Sequence, residues 1–157
     1  MPTIEINDTN ESTLSFDMID ILTVLEPFAR ELDWYFIEFV PGVFVGATDP
    51  EPNVKPWVIA LYHQIERSER AVKVSWETLK NFARNIVQTE MTLLVALKPG
   101  EKEPLIPVDV NSTEFEIVLQ GVDNSFWAVT TKNDAIIHQL KLRFKNTEIV
   151  PGTRSYF

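Results

Sequence analysis

The chain has 157 residues, 45% of them hydrophobic and 24% charged, a length and composition that suit one folded domain with a sizeable core. It contains no cysteine, which excludes disulfides, cysteine metal clusters and cysteine nucleophiles and fits a cytoplasmic protein. The formal net charge of −9 is uneven: residues 1–66 hold 12 acids and two bases, whereas residues 67–157 hold 11 acids and 12 bases, so the first part is expected to repel nucleic acid and anionic lipid and to attract a basic protein.

The opening MPTIEINDTNEST lacks a basic start and an apolar run, so no signal peptide is expected, and no apolar run nears the roughly 20 residues that cross a bilayer. Residues 1–13 read as a mobile tail in which Ile4 and Ile6 alternate as a short edge strand. Ser12, Thr13 or Ser15 is placed to cap the next helix. That helix carries Phe16, Ile19, Leu22, Leu25, Phe28 and Leu32 at three- and four-residue spacings, with Asp17 and Asp20 on its outer face near the first turn. Pro27 is expected either to kink this helix or to divide it in two.

Trp34–Val40 reads as a strand, Pro41-Gly42 as a tight turn and Val43–Ala47 as the returning strand. Thr48–Pro56 is a loop stiffened by Pro50, Pro52 and Pro56. Trp57–His63 is expected as a third strand and Gln64–Ala71 as a charged connection. Val74–Gln88 predicts a helix whose stripe is Trp76, Leu79, Phe82, Ala83, Ile86 and Val87. Met91–Leu97 predicts a strand, and Leu105–Val110 an edge strand interrupted by Pro107. Glu114–Gln120 and Phe126–Thr131 predict a hairpin around Gly-Val-Asp-Asn-Ser, with Phe115, Ile117 and Leu119 facing the core. Asp134–Lys145 predicts a last helix capped by Asn133 or Thr131, with a short strand and a mobile end at 152–157 after it. Together these elements predict a single α+β domain over residues 1–157: one mostly antiparallel sheet of about five to seven strands packed against three helices.

Few residues suggest catalysis. His63 and His138 are far apart with no metal-ligand spacing, so neither a metal nor another cofactor is expected. The carboxylate pairs Asp49/Glu51, Glu114/Glu116 and Asp17/Asp20 each suit a solvated surface as well as a site. None of the five glycines builds a phosphate-binding loop. Arg67, Arg70, Lys73, Lys80 and Arg84 interleave with Glu66, Glu69 and Glu77, which reads as ion-paired surface rather than a nucleic-acid patch.

Interaction is the remaining reading. Trp34, Trp76 and Trp127 are expected in the core, whereas Trp57 comes directly after Pro56 at the mouth of the acidic loop, beside Asp49, Glu51 and Asn53. These four residues, Asp49, Glu51, Asn53 and Trp57, are the expected protein-binding site. The chain reads as a non-catalytic acidic inhibitor of a basic partner, such as an immunity protein or antitoxin against a toxin or nuclease, working as monomer or homodimer. The alternative is a small-ligand-binding domain or enzyme with a pocket between sheet and helices, using a carboxylate such as Glu38 or Glu116.

Overall fold

The computed structural model describes residues 1–10, 13–14 and 16–151. Its elements in chain order are β1 (Thr3–Ile6), the small pair β2 (Thr9–Asn10) and β3 (Thr13–Leu14), α1 (Met18–Ala29), β4 (Asp33–Phe44), α2 (Pro56–Arg67), β5 (Val72–Val74), α3 (Trp76–Arg84), β6 (Ile86–Leu97), β7 (Ile117–Val122), β8 (Phe126–Thr131), α4 (Asp134–Arg143) and β9 (Thr147–Val150). Seven strands form one antiparallel sheet in the order β5-β4-β6-β7-β8-β1-β9. The α+β class and the antiparallel sheet match the sequence expectation. Among the described residues there are four helices, one more than the three expected, because Trp57–His63 belongs to a helix.

The alternation of side chains along each strand sends two sets of residues to opposite faces. One face joins Ile4, Ile6, Trp34, Phe36, Leu94, Ala96, Ile117, Leu119, Trp127 and Val129 to the apolar stripes of α1, α3 and α4. The other face gathers Tyr35, Leu93, Val95, Leu97 and Val118 beneath Val110 and Phe115 of the connection between β6 and β7. Double-sided burial explains why Leu93–Leu97 is apolar throughout instead of alternating.

Several boundaries differ from expectation for identifiable reasons. Segment 57–63 is helical: Pro56 occupies the first turn, where its missing N–H breaks no bond, and Val58, Leu61, Tyr62 and Ile65 repeat at helical spacing toward the core. Pro41-Gly42 is no turn. β4 runs straight through it, with pairing to β6 shifting register around Pro41, as a residue without an N–H requires. Gly42 lies so close to β6 that a Cβ would sit 2.9 Å from the Gln88 carbonyl oxygen. The expected helix Val74–Gln88 resolves into the end of β5, a shorter α3 and the start of β6. Ser75 caps α3 by accepting a hydrogen bond from the Thr78 N–H, and Asn85 closes it.

Leu105–Val110 forms no strand; it lies in the long β6–β7 connection, which contains a cis Ile106–Pro107 bond. The hairpin is present as β7–β8, with its turn at Asp123-Asn124, both at positive φ (48° and 56°), as a tight hairpin turn demands. Phe115 packs on the face opposite to Ile117 and Leu119 because it precedes the strand. The stretch expected as a mobile N-terminal tail contains β1, an interior strand between β8 and β9 rather than an edge. Its Thr3 hydroxyl shares a buried 2.7 Å hydrogen bond with that of Thr130, 127 residues away. The expected mobile end at 152–157 lies outside the described residues.

α1 is one helix with Pro27 inside it. Its cap is Asp17, not Thr13, which lies in β3; Ser12 and Ser15 lie outside the described residues. Asp17 and Asp20 form a reciprocal capping box, and the Asp17 carboxylate also accepts hydrogen bonds from the N–H and hydroxyl of Thr89 on β6 at 2.9 and 2.6 Å. Glu26 ties α1 to α3, accepting from Lys80 Nζ at 2.7 Å and Trp76 Nε1 at 3.1 Å. The Lys80 bond, and then the Trp76 bond, hold its carboxyl below the usual glutamate range.

The loop after β4 and the groove beside Trp57

β4 leaves the sheet at Phe44, and three backbone hydrogen bonds shape the segment beyond it. The Val45 N–H donates to the Asn85 carbonyl at 2.8 Å, anchoring the loop to the end of α3. The Ala47 N–H donates to the Phe44 carbonyl at 3.1 Å, and the Asn53 N–H donates to the Gly46 carbonyl at 2.9 Å. The last of these closes a neck, so that Ala47–Pro52 stands out as a small exposed loop. Gly46 makes the neck possible: its φ is +88°, and a Cβ there would lie 2.3 Å from the Asn53 carbonyl oxygen. Gly46→Ala is therefore expected to cost about 1–3 kcal/mol and to remove protection of the Asn53 amide in hydrogen exchange. An unchanged exchange rate would show that the neck does not close in this way.

Asp49 and Glu51 are exposed on this loop and make no ion pair among the described residues. Asn53 is exposed too, and its backbone closes the neck. Trp57 is on the neighbouring first turn of α2, 40% exposed. The residues lining its groove are Val45, Lys55, Asn81, Arg84 and Asn85, and the groove has a volume of about 550 Å³. The loop carboxylates are not among its walls. The structure thus brings Asp49, Glu51 and Asn53 together and surrounds Trp57 with two cations and two amides.

The uneven charge along the chain is mixed in space. Asp20 meets Arg143 at 3.8 Å, Glu26 meets Lys80 at 2.7 Å and Asp33 meets Lys73 at 3.5 Å, each pair joining an acid of the first part to a base of the second. Arg70 pairs with Glu103 at 2.5 Å. The middle basic cluster is ion-paired as expected at Arg70, Lys73 and Lys80, with partners from other elements instead of the interleaved glutamates. Arg67 and Arg84 differ: neither meets a carboxylate among the described residues, and Arg84 Nη1 donates to Asn81 Oδ1 at 3.0 Å.

The other candidates have local explanations. Asp17 and Asp20 cap α1, and Glu116 lies 3.8 Å from Lys98. His63 stacks at a tilt on Tyr62, and His138 is exposed on α4. Among the described residues no group of three or more histidine, aspartate and glutamate side chains could hold a metal ion, and no helix is long and apolar enough to cross a membrane. A second open groove of about 540 Å³ lies between α1 and α4, lined by Thr23, Val24, Pro27, Phe28, Gln139, Leu142 and Arg143 without any carboxylate.

Sequence reasoning passes over Lys55, Asn85 and Val45, and reads Arg84 as ion-paired surface. A helix opening at Pro56 is legible from its proline and the 58/61/62/65 spacing, and it would place Lys55 and Trp57 on one turn. The approach of α3 to that turn is tertiary and leaves no local signal. No protein-family model matches the chain, and no match was found among curated proteins or solved structures.

Proposed function

We propose that this chain is a non-catalytic protein-binding domain that engages a basic partner through the loop Ala47–Asn53, in the manner of an immunity protein or antitoxin directed at a nuclease. The observation that carries this reading is the closed neck: it presents Asp49 and Glu51, exposed and without an ion pair among the described residues, on a loop shaped by Gly46, Asn53 and two prolines. Preordering lowers the entropy lost on association, and unpaired surface acids accelerate encounter with a positive surface. Competing for the site where a nuclease holds substrate phosphate needs this kind of exposed anionic projection.

Affinity capture from the cells that produce the chain, at low and high salt, tests the reading. Wild type is expected to retain a basic protein, and the double variant Asp49→Lys/Glu51→Lys to associate with it roughly tenfold or more slowly, with a weaker salt dependence. Retention of nothing but the chain itself would end the proposal. So would a partner whose association rate and salt dependence are the same for both forms.

A further inference from the structure

We propose that the groove walled by Trp57, Lys55 and Arg84 binds a small anion carried on a flat ring, the chemistry that a nucleoside phosphate or an aryl phosphate presents. Trp34, Trp76 and Trp127 are each at most 7% exposed, so Trp57 at 40% is the one tryptophan that keeps a large apolar surface in water. It stands at the rim of a concavity of about 550 Å³, within the roughly 300–1,000 Å³ typical of small-molecule sites.

The cations beside it are arranged for an anion that the chain itself does not supply. Lys55 is the residue at the head of α2, where no side chain caps the helix and no acid lies in the first turn. Helices favour the opposite charge at that pole, so the local fold does not account for a lysine there. Arg84, in the last turn of α3, is favoured by that helix's negative pole. Its guanidinium is oriented by Asn81 without being neutralised. Asn85 is nine-tenths buried at the base and fixed by its own bond from Nδ2 to the Asn81 carbonyl at 2.7 Å. In a chain of net charge −9, two cations that meet no carboxylate among the described residues line the groove of one exposed indole.

Each part has a chemical role. The indole face stacks on a planar ring. The guanidinium presents its fork of N–H donors to two oxygens of a phosphate, and the lysine adds a mobile point charge. Val45 supplies an apolar contact for the ring's edge. An ordinary solvated rim would bind ring and anion no better together than apart, whereas this geometry requires both in one molecule.

Titration of the full chain with adenosine monophosphate, phenyl phosphate, adenosine and inorganic phosphate, read by tryptophan fluorescence, tests this, because Trp57 is the exposed emitter. Saturable quenching is expected from at least one ringed phosphate with a dissociation constant below about 1 mM, and adenosine and inorganic phosphate should each bind about tenfold or more weakly. Arg84→Gln and Lys55→Gln should each weaken binding by about tenfold, and Trp57→Ala, monitored by calorimetry, by a similar factor. Tighter binding of the nucleotide identifies a nucleotide site, and tighter binding of phenyl phosphate a site for a small aryl anion. No saturable response to either ringed phosphate up to about 10 mM would overturn the proposal. So would inorganic phosphate binding as tightly as both, or an affinity indifferent to Arg84→Gln. The probes are small molecules and no protein partner is involved, so this proposal and the acidic-loop reading can fail separately.

Discussion

Phe82→Ala is expected to destabilise the protein by about 3–5 kcal/mol, a loss at the upper end for a single substitution. Phe82 is fully buried on α3, and its ring meets Phe36, Phe39 and Phe44 edge-on, with centroids 5.6, 5.1 and 6.1 Å apart. Truncation removes the transfer free energy of the ring, leaves a cavity that rigid β4 cannot collapse into, and forfeits three favourable aromatic contacts. With about 2–4 °C lost per kcal/mol at this chain length, the midpoint of thermal unfolding should fall by about 6–20 °C. Phe82→Leu should recover part of that loss. Because the same helix delivers Asn81, Arg84 and Asn85 to the Trp57 groove, the truncation should loosen that groove as well. A loss below about 1 kcal/mol in urea unfolding would show that this aromatic cluster does not hold α3 to the sheet.

Asp17→Ala is expected to lose about 2–4 kcal/mol, although Asp17 is only partly buried. The carboxylate caps α1, worth about 0.5–2 kcal/mol, and receives both the N–H and the hydroxyl of the buried Thr89. Leaving those donors unsatisfied costs a further 1–3 kcal/mol or so, with incomplete additivity. Asp17→Asn should fall between, since its Oδ1 still accepts from Met18 and the Thr89 hydroxyl while its Nδ2 faces the Thr89 N–H, a donor. The two forms should also differ in pH dependence. Burial raises the Asp17 carboxyl above its usual 3.8, outweighing the opposing hydrogen bonds from Thr89 and Met18. A raised folded value means that the folded chain holds this proton more tightly than the unfolded chain. Its stabilising contribution is therefore complete below about 3.8 and declines as pH climbs through the raised value. The stability gap between wild type and Asp17→Asn should be widest in acid and narrow toward neutral pH. A gap that is flat, or that widens with pH, would contradict this assignment.

These two residues also show what is legible in the sequence. Phe82 sits in a stripe whose three- and four-residue spacing marks α3 without any structure. The α1 stripe, the β7–β8 hairpin and α4 are legible in the same way, and together they are enough for the α+β class. Asp17 is visible as an acid near a helix start, but its tie to Thr89 spans 72 residues and leaves no periodic trace. Trp57–His63 reads as a strand because a run dense in Trp, Val, Ile, Leu and Tyr satisfies strand preferences, while the proline ahead of it suits a loop as well as a helix start. Pro41-Gly42 misleads for the reverse reason. Turn chemistry is present, but pairing along the whole length of β6 outweighs it. At the site, the acidic loop and its prolines are local and therefore readable. The company Trp57 keeps depends on where α3 lands, and neither composition nor spacing encodes that in a single stretch.

The position of β1 in the sheet bears on how the chain reaches this state. β1 docks against β8, and among the described residues β9 pairs with β1 alone. At this end of the sheet the β7–β8 hairpin joins partners close in sequence, whereas β1 reaches both of its partners across most of the chain. Joining Thr3 to Thr130 closes most of the chain into one loop, and contacts of such long range slow folding. Until β8 is in place, Ile4 and Ile6 lack the strand that pairs beside them in the sheet, Val129 opposite Ile4 and Trp127 opposite Ile6.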